Sequence, residues 1–162
     1  MQIKLWGVRG SLPSPTTNDE YSKKIALILD LAIKAGLKNT SGIPEFLKSL
    51  PDDLMYVYGG NTTCVSVTSN SGKVYILDCG SGIRLLGYEL MKGPCGRGQG
   101  VLDIFMTHYH WDHIQGLPFF TPLYIKGNTL NFHSPYKDQK KYLTDQMAAP
   151  YFPALFEGTE ST

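Results

Sequence analysis

Positive charge is not massed anywhere in this sequence, and that is the first of several absences. Lysine and arginine total 15 against 14 acidic residues, a formal net charge of +1. Composition alone therefore points to neither nucleic acid nor a membrane surface as a partner. No apolar run approaches the roughly 20 residues that cross a bilayer. The opening Met-Gln-Ile-Lys-Leu-Trp lacks the charged stretch and apolar core of a secretion signal. Cysteine is sparse: Cys64, Cys79 and Cys95 are three, an odd count without Cys-x-x-Cys spacing. That argues against a disulfide framework, and a reduced, cytoplasmic setting is expected, with each cysteine a small buried or loop residue. Histidine is scarce too, with four in 162 residues, yet three of them fall between 108 and 113.

Glycine is plentiful at 17 residues and clusters at turns. Residues 2–8 alternate polar and apolar and predict a strand. Asn18-Asp19 can cap a helix over 20–35, whose Ile25, Ile28, Leu29, Ala32 and Ile33 share a face read as a packing stripe, stopped by Gly36. Pro44 opens a shorter helix ending near Leu50, so 16–55 reads as a helical insertion within one domain spanning 1–162. Residues 62–69 and 73–78 flank Asn70-Ser71-Gly72 as a hairpin. A tight turn, Asp78-Cys79-Gly80-Ser81-Gly82, leads into a helix over 82–91. The loop from Gly93 to Gly100 lacks the Gly-Lys-Ser/Thr ending of a phosphate loop. Residues 101–106 form a buried strand, 117–120 a short helix or loop, 128–133 a weak strand and 137–147 a helix. The order implies an α/β layered fold with helices on a mixed sheet.

The chemistry gathers in Thr107-His108-Tyr109-His110-Trp111-Asp112-His113. A core strand ends near Met106, so these residues leave the end of a sheet. In extended backbone His108 and His110 project to one side and can grip one metal. The chain then turns, so Asp112 and His113 can reach a neighbouring point, and two metals ~3.5–4 Å apart would share one loop. Bound zinc lowers the pKa of its water to about 7, so metal-bound hydroxide can attack phosphorus or carbonyl centres. Asp112 is the catalytic candidate, as a ligand that also orients the water or accepts its proton. His133 stands alone in a weak strand and reads as a structural or surface histidine.

The turn matches the His-x-His-x-Asp-His signature, and the chain resembles the metallo-β-lactamase superfamily. The likeness extends to Arg9-Gly10-Ser11, Tyr58-Gly59-Gly60-Asn61-Thr62-Thr63-Cys64, the stretch Ile76 to Arg84, Trp111 to Phe120, and Ala149-Pro150-Tyr151-Phe152-Pro153. Together these are similar to the branch near ribonuclease Z and the cyclic-nucleotide phosphodiesterase-like hydrolases. The resemblance implies a four-layer αββα sandwich, of which this chain reads as the N-terminal half to two-thirds: the first sheet plus its helices. It implies His108 and His110 on a first divalent ion and Asp112 and His113 on a second. Zinc is the first choice, with manganese or iron as alternatives. Asp78 would brace the metal loop, although it also reads as a turn or N-cap aspartate. Asn61 and Thr62 would lie on the substrate side.

The family supplies a further histidine, a bridging aspartate and a last histidine from a second half of its fold, and no counterpart is identifiable after His113. Each ion would keep two protein ligands, where catalytic zinc normally has three. Weak metal affinity is expected, together with an exposed apolar sheet face that calls for self-association or a companion chain. The leading expectation is a metal-dependent phosphodiesterase acting on RNA 3′ ends or cyclic nucleotides, without membrane association. A truncated, non-catalytic metal-binding or interaction module that needs a partner is the second reading. A lactone or thioester hydrolase on the same scaffold is the third.

Overall fold

The computed structural model describes residues 1–57 and 59–156. Tyr58, from the glycine-turn motif, lies outside the described residues. Two compact units form: one from residues 1–13 and those from 61 onward, the other Ser14–Gly60.

In chain order the elements are β1 (Gln2–Gly7), α1 (Asn18–Lys34), α2 (Ile43–Ser49), α3 (Asp52–Met55), β2 (Cys64–Thr68), β3 (Val74–Leu77), α4 (Ile83–Leu90), β4 (Val101–Phe105), α5 (Trp111–Ile114), β5 (Thr129–His133) and α6 (Gln139–Gln146). The strands make one mixed sheet in the order β1-β2-β3-β4-β5. The pairs β1–β2 and β2–β3 are antiparallel, whereas β3–β4 and β4–β5 are parallel. The switch follows from the connections. A tight turn after Thr68 joins β2 to β3, but β3 reaches β4 only by crossing over through α4.

Side chains alternate across the sheet. Cys64, Ile76, Leu102, Ile104 and Leu130 point to one face and join Ile83, Leu86, Leu117, Phe120, Leu123, Leu143 and Met147 in a single core. The other face carries Ile3, Leu5, Leu77, Val101 and Phe105, all exposed. Among the described residues of this unit, the core thus lies on one face of the sheet, the arrangement expected for the first sheet of the sandwich with its helices. Cys64, Cys79 and Cys95 are free and buried. Burial raises the Cys64 and Cys79 thiols well above the usual thiol range.

In the other unit, α1 begins one residue earlier than Asn18-Asp19 would allow as the cap. Thr17 is the cap: its hydroxyl accepts from the Glu20 N–H while the Glu20 carboxylate accepts from the Thr17 N–H, a reciprocal capping box. No residue of α1 is buried, and Leu27, Leu29 and Ile33 are exposed. No described helix is long and apolar enough to cross a membrane.

Candidate metal centre

Parallel register builds the site. Leu77 pairs with Phe105, so the residues just beyond the two strands, Asp78 and the 106–107 pair, emerge side by side. The Asp78 N–H donates to the Phe105 carbonyl at 3.0 Å, and the Met106 N–H to the His133 carbonyl at 2.8 Å, which carries the ladder to the brink of the loop. There Asp78 turns into the left-handed region, with φ of 59°. Only 2% of its surface is exposed.

A buried carboxylate needs partners, and Asp78 has them. Oδ1 accepts the Thr107 N–H at 2.8 Å, and Oδ2 lies 2.8 Å from both the Thr107 hydroxyl and His113 Nδ1. The same hydroxyl lies 3.1 Å from His108 Nδ1. Because the carboxylate only accepts, the network assigns both tautomers. His113 Nδ1–H donates to Asp78. The Thr107 hydroxyl donates to Asp78 and accepts from His108 Nδ1–H. Both rings are left with a lone pair on Nε2, the form that ligates metal.

Those rings are gathered closely. His108 lies with its centroid 4.0 Å from that of His113 and 4.5 Å from that of His110. Asp112 Oδ2 sits 3.4 Å from His113 Nε2. The carboxylate is held there by the Ser11 N–H at 2.8 Å, a bond spanning 101 residues of sequence. Ser11 reaches it through its own positive φ of 62°. Burial raises the Asp112 carboxyl, but the Ser11 N–H and the neighbouring histidines outweigh it and the net shift is downward. A carboxylate oxygen and an imidazole lone pair are both acceptors, so a cation placed between them would answer both. The donor set, three imidazoles and a carboxylate, is one that suits zinc or a related divalent ion. Among the described residues, no group of three His, Cys, Asp or Glu converges as a ready ligand set for one ion.

Glycines bring the supports together. A side chain at Gly80 would run into the Asp112 carbonyl and Thr62, and one at Gly116 into the Gly80 carbonyl. Between them the Cys79 N–H donates to the His113 carbonyl at 2.7 Å and the Gly116 N–H to the Cys79 carbonyl at 2.8 Å. The Asp78 turn and the histidine loop are thereby fastened at both ends.

Two expected substrate-side residues are part of the frame instead. Thr62 has 0% exposure, and its hydroxyl accepts from the Ser81 N–H and the Gln115 amide. A fully buried hydroxyl that accepts two hydrogen bonds from the frame does not face a substrate, so that expectation is corrected for Thr62. Asn61 is half-buried. Its side chain accepts from the Ser81 hydroxyl at 3.2 Å, and its carbonyl takes the Val8 and Arg9 N–H groups, fixing the loop that carries Ser11. His133 is built into the sheet, stacked on Phe105 with centroids 4.5 Å apart and bonded to Asp103 at 2.8 Å. Sequence reasoning left Thr107 and Ser11 out of the site. Thr107 could have been found as the residue where the predicted strand meets the first histidine, but a backbone N–H leaves no trace in residue identity.

The segment that carries this loop has known relatives. Residues 57–128 match the family described as the metallo-beta-lactamase superfamily. The chain is 31% identical over 99 residues to a protein named ribonuclease Z from Prochlorococcus marinus subsp. pastoris, a match covering 57% of this chain and 30% of that protein. It is 39% identical over 94 residues to another of that name from Prochlorococcus marinus (strain AS9601), covering 57% of this chain and 25% of that one. The chain thus spans less than a third of the length of these curated relatives. No solved structure matches. Residues 57–128, which hold the Asp78 turn and the histidine loop, are thus similar to the metallo-beta-lactamase superfamily, and the relatives found are proteins named ribonuclease Z.

Proposed function

We propose that this chain is the metal-binding part of a divalent-metal phosphodiesterase, with RNA 3′ ends or cyclic nucleotides as the substrate class. One observation carries the reading: a single buried carboxylate, Asp78, holds the His113 ring directly and the His108 ring through Thr107, leaving a lone pair on each Nε2, that of His113 beside the Asp112 carboxylate. His108 and His110 would hold one ion, and Asp112 and His113 a second. A bound divalent ion supplies a water of lowered pKa and neutralises charge growing on the substrate oxygens. The residues do the rest. Asp78 and Thr107 keep protons on the Nδ1 atoms, so neither ring rotates or switches tautomer. The Ser11 N–H holds Asp112 ionised and aimed, ready to orient or take a proton. The choice of a phosphodiester rests on the ribonuclease Z likeness.

The test is metal uptake and turnover by the 162-residue chain. With zinc or manganese, His110→Ala and Asp112→Ala are expected to lose bound metal and hydrolysis of bis(4-nitrophenyl) phosphate together. Turnover of a lactone or thioester ester with no phosphodiester turnover would favour the esterase reading. Tight binding of two ions by the isolated monomer would contradict the two-ligand account. The apolar sheet face supports a further proposal, that a second copy or a companion chain covers it. Light scattering that finds only monomer at high concentration would remove the second copy.

A further inference from the structure

We propose that α1 is a pairing element that docks end for end on α1 of a second copy of this chain. The inference is independent of the metal reading and of the apolar sheet face. It concerns the other unit, Ser14–Gly60, which lies almost wholly before the family match at residues 57–128.

The helix carries two apolar faces, where a surface helix ordinarily has one. Ile28, Leu31 and Ala32 are half-buried and make the covered face. Tyr21, Ile25, Leu29 and Ile33 make the other, and stand 59%, 39%, 58% and 78% exposed. Their four-residue spacing sets them on one continuous ridge, the kind that packs into the groove of a second helix. Ser22 and Ala26 lie beside the ridge, and their small side chains leave a groove in which another ridge can rest. A contiguous apolar strip over more than three turns is a surface built to be covered.

The charge pattern selects what covers it. Asp19, Lys23, Asp30 and Lys34 line one flank of the ridge, next to Ala26. Lys23 is paired with Asp19 and Lys34 with Asp30, both at 2.7 Å, yet all four side chains remain more than half exposed and can meet a further partner. Along the helix the signs run minus, plus, minus, plus. Turned end for end about Leu27, the middle of the ridge, they run plus, minus, plus, minus. Asp19 then comes within one residue of the level of the partner's Lys34, and Lys23 within one residue of the level of the partner's Asp30. The same turn sets Ile25 against the partner's Leu29, and Tyr21 against the partner's Ile33. A parallel pair in matched frame would set each charge against its own kind. An unrelated helix would have to supply both the ridge and the alternation, whereas a second copy supplies both by symmetry. Exposed ion pairs contribute little to affinity, so they fix the direction while the ridge supplies the attraction.

Sedimentation velocity of the 162-residue chain tests the pairing. One helix pair is smaller than the standard interface of about 1,600 Å², so a dissociation constant of about 100 µM is expected. Leu29→Gln combined with Ile33→Gln puts good helix formers at exposed positions, so the melting temperature should hold while association weakens at least tenfold. Cross-linking reads the direction. At a rise of 1.5 Å per residue, the end-for-end pair sets the two Ala26 positions about 3 Å apart along the axis and the two Ser22 positions about 15 Å apart. Ala26→Cys should therefore form a disulfide-linked dimer under mild oxidation and Ser22→Cys should not. The native cysteines are buried, so the unsubstituted chain is the blank. A chain that stays monomeric at about 1 mM, ten times the expected constant, overturns the proposal. So does equal cross-linking at positions 22 and 26. Association that survives the α1 variant and is abolished by Leu5→Thr would move the second copy to the exposed sheet face and overturn it as well.

Discussion

Replacing Asp78 separates the two jobs assigned to it, holding the loop and setting the tautomers. In Asp78→Ala the Thr107 N–H and His113 Nδ1–H lose their acceptor, while the Thr107 hydroxyl, at the surface, can turn to water. Bonds to a charged acceptor contribute about 1.5–3 kcal/mol each. Alanine at a φ of 59° adds roughly 1 kcal/mol of backbone strain. The expected loss is about 5 kcal/mol, comparable to the whole stability of many domains of this size. Asp78→Gly removes the same acceptors without the strain, so it should be more stable than the alanine variant by about 1 kcal/mol. Asp78→Asn is the informative case. Asparagine tolerates the left-handed backbone and keeps a carbonyl for Thr107, so the stability loss should be about 1–2 kcal/mol. Its NH₂, however, meets His113 Nδ1 as a donor. The ring must move its proton to Nε2, and the metal-binding lone pair is lost. Metal affinity should fall about 10–100-fold while the fold survives. Urea unfolding followed by tryptophan fluorescence gives the stabilities, zinc calorimetry the affinity, and nitrogen-15 histidine spectra the tautomer. An asparagine variant that binds zinc like the wild type, with Nδ1 still protonated, would refute the reasoning.

Thr107→Val keeps the shape but deletes the hydroxyl between Asp78 and His108, and zinc titration should show about a tenfold weaker site with little change in unfolding. Gly80→Ala places a methyl against the Asp112 carbonyl and Thr62, and chemical denaturation should show a loss of about 3 kcal/mol, beyond what ordinary surface substitutions cost. Asp103 is held at about 2, first by its bond to Lys73 and then by His133, below the usual carboxylate value of 3.8. A depressed carboxyl contributes stability that is complete above its unfolded pKa, so that contribution should disappear as the pH falls from about 4 to about 2. Asp103→Asn should flatten this part of the pH–stability curve measured by urea unfolding.

What could be read from residues was what local rules encode. The alternation in 2–8, the hairpin at Asn70-Ser71-Gly72 and the crossover helix after Gly82 lie where periodicity and turn chemistry put them, because each is decided within a few neighbours. The histidine turn was legible for the same reason. Short-range spacing alone brings three imidazoles to one loop. The first cap was misplaced by one residue because Asn18, Asp19 and Thr17 all have capping side chains, and only the reciprocal bond to Glu20 selects threonine. The supports of the site were less legible. Thr62 was expected on the substrate side, yet packing against Ser81 and Gln115 buries it entirely.

The bond from the Ser11 N–H to Asp112 joins the beginning of the chain to the middle of the metal loop. Closing so long a loop is slow compared with forming a hairpin. The acidic ligand is therefore set only after distant parts of the chain have met, whereas the imidazoles are placed by neighbours already aligned along β3 and β4. Were an ion bound as proposed, histidine contacts should register early in folding and carboxylate coordination late. A chain still lacking its first strand would present nitrogen ligands to an ion while leaving the oxygen ligand adrift.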